Sequence, residues 1–289
     1  MKPAPFQYSR PSSVAEAVTI LAAAPDDSKV LAGGQSLIPL MNFRLVQPRV
    51  IVDVNYISGL AGIRLDQEQL SLGALTRVRA LEQSSELAQR FPLLVAASRW
   101  VGHVQIRNRG TVGGTIAHAD PAAEIPAICM LTDAVMRVAS SGGTRTIPAD
   151  DFFRGFLTTA LHPDEMLVEI VMPLPPMGTG WGFTEYAQRR GDFALAGAAC
   201  LVRNGLEGAA VQIVAFGPGR RAVRCHTAES VFKERDIAED SIRTAAAMAV
   251  DEVREEPTND PETAYRYELV GPMVVRSLQQ ALSTSQVSL

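Results

Sequence analysis

Cysteine is scarce in this chain. Its 289 residues include three, Cys129, Cys200 and Cys225, and no two form a CxxC pair. An iron–sulfur cluster held by one chain takes about four thiolates, so the count excludes one here. The wide spacing also argues against a disulfide framework and leaves small buried thiols as the expected state. Histidine is nearly as rare. His103, His118, His162 and His226 show no HxxxH or HxH spacing, so nothing marks a zinc site built by this chain. No apolar run approaches the roughly 20 residues that span a bilayer. The opening residues, MKPAPFQYSRPSS, lack an apolar signal core. The expected compartment is the cytoplasm. An excess of positive charge is missing too: the net charge is −4 and the arginines are scattered. A nucleic-acid surface needs clustered Lys and Arg.

What the chain does have is apolar surface and paired glycines. Apolar residues make up 47 % and charged residues 20 %, enough to bury a sizeable core. Ser12 or Ser13 caps an expected helix with Val14, Ala17, Val18 and Leu21 at helical spacing, ended by Pro25. Val30-Leu31-Ala32 and residues 49–54 read as buried strands, with a helical turn from Ser36, bent at Pro39, between them. Residues 62–74 alternate around a polar turn as a hairpin. Residues 77–100 read as two helical segments divided near Phe91-Pro92. Residues 134–140 and 144–148 pair across Gly142-Gly143, and residues 166–172 form an alternating strand. PLPPMGTG, residues 173–180, holds three prolines and two glycines and marks a domain boundary. Strands are expected beyond it at 181–187, 194–203 and 209–217, then helices near 240–253 and 262–282. The C-terminal part thus reads as an α+β layer.

Two glycine pairs stand out, in AGGQS (32–36) and TVGG (111–114). A Gly-Gly pair lets backbone N–H groups converge without interference from Cβ. Such nests bind anions, pyrophosphate oxygens included. Ser36 and Thr111 add hydroxyls at the edges. Neither pair sits in GxGxxG or GxxxxGK(S/T), which disfavours a Rossmann dinucleotide fold and a P-loop NTPase. Taken singly, each pair reads first as an ordinary turn. Together they can clamp one extended ligand with two phosphates. The stretch from Arg107 to Glu124 has little regular periodicity and reads as an open segment whose glycines admit a ligand to the backbone. Glu124 reads either as an acceptor for ribose or ribityl hydroxyls or as a solvated surface acid. Arg107 and Arg109 read as partners of carboxylates.

LAGGQSLIPLMNFRL together with IRNRGTVGGTIAHADPAAEIPA resembles the medium, FAD-binding subunit of molybdenum hydroxylases, the carbon monoxide dehydrogenase and xanthine dehydrogenase family. DFFRGFLTTALHPDEMLVEIVMP resembles the segment closing that family's FAD domain, and YAQRRGDFALAGAACLV the opening of its C-terminal domain. The likeness covers nearly the whole chain. It implies an α+β fold. Residues 1–175 would be a FAD-binding domain of the PCMH/vanillyl-alcohol-oxidase type, in two subdomains of about 1–57 and 58–175. Residues 176–289 would form a C-terminal three-stranded sheet plus helix bundle.

The resemblance also implies site residues. Ala32, Gly33, Gly34, Gln35 and Ser36 would wrap the FAD pyrophosphate, flanked by Val30, Leu31 and Leu37. Thr111, Gly113, Gly114 and Thr115 would touch the diphosphate and ribityl from the other side, with Ile106 and Ile116 as anchors. Val101 and Leu167 would pack on the flavin, and Asp120 and Glu124 would order the ribityl side. Asp192-Phe193 matches an acid–aromatic pair near the isoalloxazine, where some relatives have Tyr; Phe193 has no hydroxyl to offer. The implied partners are a large molybdopterin subunit and a small subunit with two 2Fe–2S clusters, assembled as a dimer of heterotrimers. The medium subunit would take electrons onto FAD and pass them to an external acceptor. Since the chemistry belongs to the cofactor, no acid–base catalytic residue is assigned. Two other readings compete: a stand-alone flavoenzyme, for which Tyr186 and His118 are the candidates, and a non-enzymatic flavin-binding module.

Overall fold

The computed structural model describes residues 2–205, 208–254 and 260–285. The first strands, β1 (Gln7–Ser9), β2 (Ser28–Leu31) and β3 (Val50–Asp53), form a parallel sheet in the order β1-β3-β2. Parallel neighbours require crossovers, and α1 (Val14–Ala23) and the short α2 (Leu37–Asn42) lie in them. Ser13 caps α1, its Oγ accepting from the Glu16 amide at 3.2 Å, while the Glu16 carboxylate accepts from the Ser12 amide at 2.7 Å. This is the reciprocal logic of a capping box. Ala17, Val18 and Leu21 of α1 are buried with Val52 and Val54, as their helical spacing predicts.

The second layer begins with β4 (Ile63–Leu65) and β5 (Gln69–Gly73). Six helices follow: α3 (Val78–Gln83), α4 (Ser85–Arg90), α5 (Pro92–Ser98), α6 (Val104–Arg109), α7 (Val112–His118) and α8 (Glu124–Leu131). Then come β6 (Val135–Ser140), β7 (Gly143–Pro148), α9 (Ala149–Phe152), β8 (Phe153–Gly155), β9 (Thr158–Thr159) and β10 (Met166–Pro173). β8 and β9 pair with each other, and the rest form an antiparallel sheet in the order β4-β5-β10-β6-β7. Residues 77–100 hold three helices where the sequence suggests two. Ser84 makes the extra break: its Oγ accepts from the Leu87 amide at 3.2 Å and caps α4. Pro92 then opens α5, where a missing N–H costs nothing.

The largest departure lies between residues 104 and 131. The sequence reads much of this as open segment, and the structure holds three helices there. All eight residues of α8 are buried, so it has no polar face to alternate with. In α7 the buried face is Val112, Gly113 and Ile116, and a glycine is not counted as apolar in a periodicity search.

The last layer is an antiparallel sheet of β11 (Gly180–Tyr186), β12 (Ala196–Gly205), β13 (Gly208–Phe216) and β14 (Val223–Arg224). The two residues of β14 add a fourth strand to the three expected. Then follow α10 (His226–Glu234), which the sequence reading did not include, α11 (Glu239–Val253) and α12 (Pro261–Thr284). Side chains alternate across a sheet, and both faces here are buried. Ala196, Ala198, Cys200 and Val202 pack with Ala245, Ala249, Val270 and Val274 of the helices. Phe183, Ala199, Leu201, Val214 and Phe216 join the core built around α5 and α8. The C-terminal sheet is therefore also a wall of the preceding unit. α8 is bonded to it at both ends: the Gly217 amide donates to the Pro121 carbonyl at 2.9 Å, and Arg224 donates to the Leu131 carbonyl at 2.8 Å.

Candidate functional site

β2 ends at Leu31, and the chain turns through Ala32 to Ser36 into α2. Gly34 adopts φ +72°, a left-handed conformation that costs an L-residue with a side chain about 1–2 kcal/mol. The amides of Gly33, Gly34, Gln35 and Ser36 make no hydrogen bond within the described residues, and the Ser36 hydroxyl makes no capping bond. Gly33, Gly34 and Gln35 border an open cleft of about 440 Å³ with Leu31, Ala32, Asp53, Asn55 and Arg109. Val30 and Leu37 flank the loop and are half-buried.

A polar frame holds this loop from behind, and the sequence reading missed it. Asn55 Nδ2 donates to the Ala32 carbonyl at 2.8 Å and to Asp53 Oδ1 at 2.6 Å. The Tyr8 hydroxyl donates to Asp53 Oδ2 at 2.5 Å, and Arg77 donates to Asn55 Oδ1 at 2.7 Å. Burial works against the Asp53 charge, but the bonds from Tyr8 and Asn55 outweigh it and hold the carboxyl below its usual range. The available signal was position: Asp53 and Asn55 stand at the carboxyl end of a parallel strand, where ligands of open α/β sheets bind. Arg77 also donates to the Arg109 carbonyl.

The two arginines of the second motif part company. Arg107 behaves as expected, with Nε 3.0 Å from Glu82 and a further bond to the Gly102 carbonyl at 2.8 Å. Arg109 corrects the expectation. It has no carboxylate partner among the described residues and instead lines the cleft beside the first loop. Arg109 puts one guanidinium on the cleft wall, and Arg77 stands behind it, bonded to Asn55 and to the Arg109 carbonyl. Burial, then the neighbouring Arg109 charge, lowers the Arg77 pKa.

The second glycine pair has a different local setting. Thr111 is the N-cap of α7, its Oγ1 accepting from the Gly114 amide at 3.0 Å. The Val112 amide donates to the Thr76 carbonyl at 2.9 Å, Gly113 to Ala74 at 2.8 Å, and Thr115 to Thr111 at 3.1 Å. All four donors are therefore consumed inside the chain. A Cβ on Gly113 would stand 2.6 Å from the Ala74 Cβ, and one on Gly114 would stand 2.7 Å from Thr111 Oγ1. These glycines make room for the chain's own β5–α3 connection and for a helix cap. The same holds for Gly33, whose Cβ would meet the Arg109 carbonyl at 2.6 Å. Gly33 is where the two motifs touch.

The remaining candidates are spread over several elements. Glu124, in the first turn of α8, is 8 % exposed, so it is not a solvated surface acid. Asp120 is half-buried and accepts from the Ala122 amide at 2.8 Å. Leu167 is buried in β10 and Val101 is half-buried against the main core. Asp192 and Phe193 sit in the loop joining β11 to β12, closed by the Leu195 amide on the Tyr186 carbonyl, and Phe193 is 73 % exposed. Tyr186 and His118 form no acid–base constellation: the Tyr186 hydroxyl bonds Tyr265, and burial holds the His118 pKa below its ordinary value. All three cysteines are buried, and burial pushes the Cys200 thiol up to about 12. Among the described residues no group of His, Cys, Asp and Glu could hold a metal ion, and no helix is long and apolar enough to cross a membrane.

Free amides at a strand end with the Arg109 guanidinium beside them suit a protein that binds a phosphate-bearing cofactor. Residues 4–175 match the family described as an FAD binding domain in molybdopterin dehydrogenase, and residues 181–281 match the CO dehydrogenase flavoprotein C-terminal domain. The chain is 39 % identical to the 6-hydroxypseudooxynicotine dehydrogenase complex subunit alpha of Paenarthrobacter nicotinovorans, covering 98 % of this chain and 96 % of that one. It is 36 % identical to the carbon monoxide dehydrogenase medium chain of Hydrogenophaga pseudoflava, covering 97 % and 98 %. The solved structure of carbon monoxide dehydrogenase from Hydrogenophaga pseudoflava superposes with a TM-score of 0.94 at 35 % identity over 99 % of this chain and 100 % of that one. Quinoline 2-oxidoreductase from Pseudomonas putida 86 gives 0.90 at 35 % identity, covering 98 % and 99 %. The chain belongs to the FAD-binding medium subunits of the molybdenum hydroxylases, an oxidoreductase family whose complexes also contain large and small subunits.

Proposed function

We propose that this chain holds one FAD with its diphosphate on the Ala32–Ser36 loop and Arg109, and relays electrons through it. The four amides without acceptors at residues 33–36 carry this reading. They offer the donors a diphosphate needs. Thr111, Gly113, Gly114 and Thr115 then act mainly by shaping the wall against which the first loop rests. Val101, Leu167, Asp120, Glu124 and the Asp192-Phe193 loop border the ribityl and flavin end. Residues 1–175, in subdomains of about 1–57 and 58–175, make the FAD domain, and 176–289 the domain that closes it.

FAD, when bound, supplies the redox chemistry; the protein positions it and sets its surroundings. Arg109 and the loop amides bind and orient the diphosphate, and the Asp53–Asn55–Arg77 frame keeps the loop in shape. Electrons reach the site from 2Fe–2S clusters of a small partner subunit, fed by the molybdopterin centre of a large one, and leave to an external acceptor. The complex is a dimer of such heterotrimers in the cytoplasm. Three buried cysteines leave the clusters to another chain, since a reactive or ligating thiol needs an accessible, stabilised thiolate.

Stopped-flow reduction of the flavin tests this. The hydroxylase's organic substrate should leave the flavin of the isolated chain oxidised and reduce it once the iron–sulfur and molybdopterin subunits are added. Rapid bleaching in the chain alone would promote a stand-alone flavoenzyme instead.

A further inference from the structure

Glu185 lies in β11, and its neighbours show which way it faces. Thr184 points to α12, its hydroxyl donating to the Met273 carbonyl at 2.8 Å. Phe183 points the other way, onto Phe216 at 5.7 Å and Trp100 at 6.3 Å between ring centroids. Alternation along the strand puts Glu185 on the side of Phe183, toward α8. Both of its carboxylate oxygens are shut off from solvent, and neither has a hydrogen-bond partner within the described residues. The charge that acts on it is that of Glu124.

Glu185 therefore lies unpaired in the seam, with the Glu124 carboxyl close enough for its charge to act on it. Glu124 also feels Asp120 and Arg107, but Arg107 is already committed to Glu82. α5, which also packs on β11, carries no charged residue, and Gly197 is the residue opposite Glu185 in β12. A like charge nearby disfavours ionisation. Burial, reinforced at Glu185 by the Glu124 charge and at Glu124 by the Asp120 charge, raises both carboxyls above the ordinary range. A buried acid with two unused oxygens is costly unless something supplies partners. An FAD reaching from the first loop into this seam brings ribityl hydroxyls, ring carbonyls and a ring N–H.

We propose that Glu185 is a further FAD-binding residue: its unused carboxyl oxygens, buried in the seam, hydrogen-bond the cofactor from the C-terminal sheet. This rests on the FAD site proposed above. A carboxyl kept neutral in the seam donates to a ring carbonyl through its hydroxyl and accepts from a hydroxyl or N–H through its other oxygen.

The full chain is titrated with FAD, followed by flavin fluorescence, as wild type, Glu185→Gln and Glu185→Leu. Gln keeps a donor and an acceptor and should bind nearly as wild type; Leu keeps neither and should bind about tenfold or more weakly. The second readout is the thermal midpoint of the FAD-free chain against pH. A carboxyl whose folded pKa lies above its unfolded value leaves the native state holding more protons. Its contribution is fully favourable below the unfolded pKa and declines as pH rises through the folded one. Glu185→Gln should flatten that decline, and should remove the infrared carbonyl band of a protonated acid seen in the wild type at neutral pH. Equal FAD affinity in all three proteins overturns the contact. An unchanged decline and an unchanged infrared band in Glu185→Gln overturn the neutral Glu185 carboxyl. A wild type that binds no FAD overturns the function proposed above, and the contact with it. In that case the slope and the infrared band still decide whether Glu185 is held neutral. If Glu185→Leu does not fold, the two Glu185→Gln readouts and its affinity against Glu124→Gln carry the test.

Discussion

Gly33-Gly34 and Gly113-Gly114 are the same two letters, placed beside β-strands about 80 residues apart in one fold. Gly33-Gly34 opens a strand end, takes a positive φ at Gly34 and leaves its amides without acceptors in the described chain. Gly113-Gly114 lies in the first turn of a helix, its amides spent on Ala74 and Thr111 and its missing side chains filled by them. The first pair lines a cleft with its amides free, although Gly33 also packs on the Arg109 carbonyl; the second is a packed contact throughout. A glycine pair is thus not a ligand site until its N–H groups are accounted for.

Substitutions can break or sharpen this contrast. The largest effect is expected from Gly113→Ala, which drives a Cβ into Ala74. Overpacking of this kind costs about 1–3 kcal/mol, read as a lower denaturation midpoint of the FAD-free chain. FAD affinity of the folded fraction should stay near the wild-type value. Lost affinity at unchanged stability would place the ligand on the second pair after all. Gly34→Ala should do the reverse. Its Cβ has only the flexible ends of Ile38 and Leu31 within 4 Å, but φ +72° no longer suits the residue, and relaxation swings the free amides away. Affinity for FAD should fall by about tenfold, or ~1.4 kcal/mol, with a smaller change in the unfolding midpoint. The mildest is Ser36→Ala, which removes one donor worth about 0.5–1.5 kcal/mol of FAD binding. The midpoint should not move, because the hydroxyl caps nothing; a drop in stability would mean that it supports the loop.

Much of the molecule was legible one element at a time. The α1 cap at Ser13, the strand at 166–172 and the Phe91-Pro92 break all follow from local signals. α7 and α8 were not, because helical periodicity is visible only when one face is polar, and α8 has none. Within the site, the first glycine loop and Glu124 were found by resemblance. The frame of Tyr8, Asp53, Asn55 and Arg77 was not, since its four members come from three separate stretches. Arg107 and Arg109 look alike on paper, two residues apart. Only the position of Glu82 decides that one is a structural ion pair and the other lines the cleft.

By itself, the sequence determined what depends on neighbours along the chain: caps, breaks, strand alternation and the motif residues that place the chain in its family. Hydrogen bonds within a few residues and the two side-chain periodicities act at that range. Tertiary structure alone decided which donors stay free and which charges meet. The Gly113 amide is spent because Ala74 lies under it, and the Glu185 carboxyl is shielded because α8 packs against the C-terminal sheet. Desolvation and close approach are properties of what folds on top of a residue, and no spacing along the chain records them.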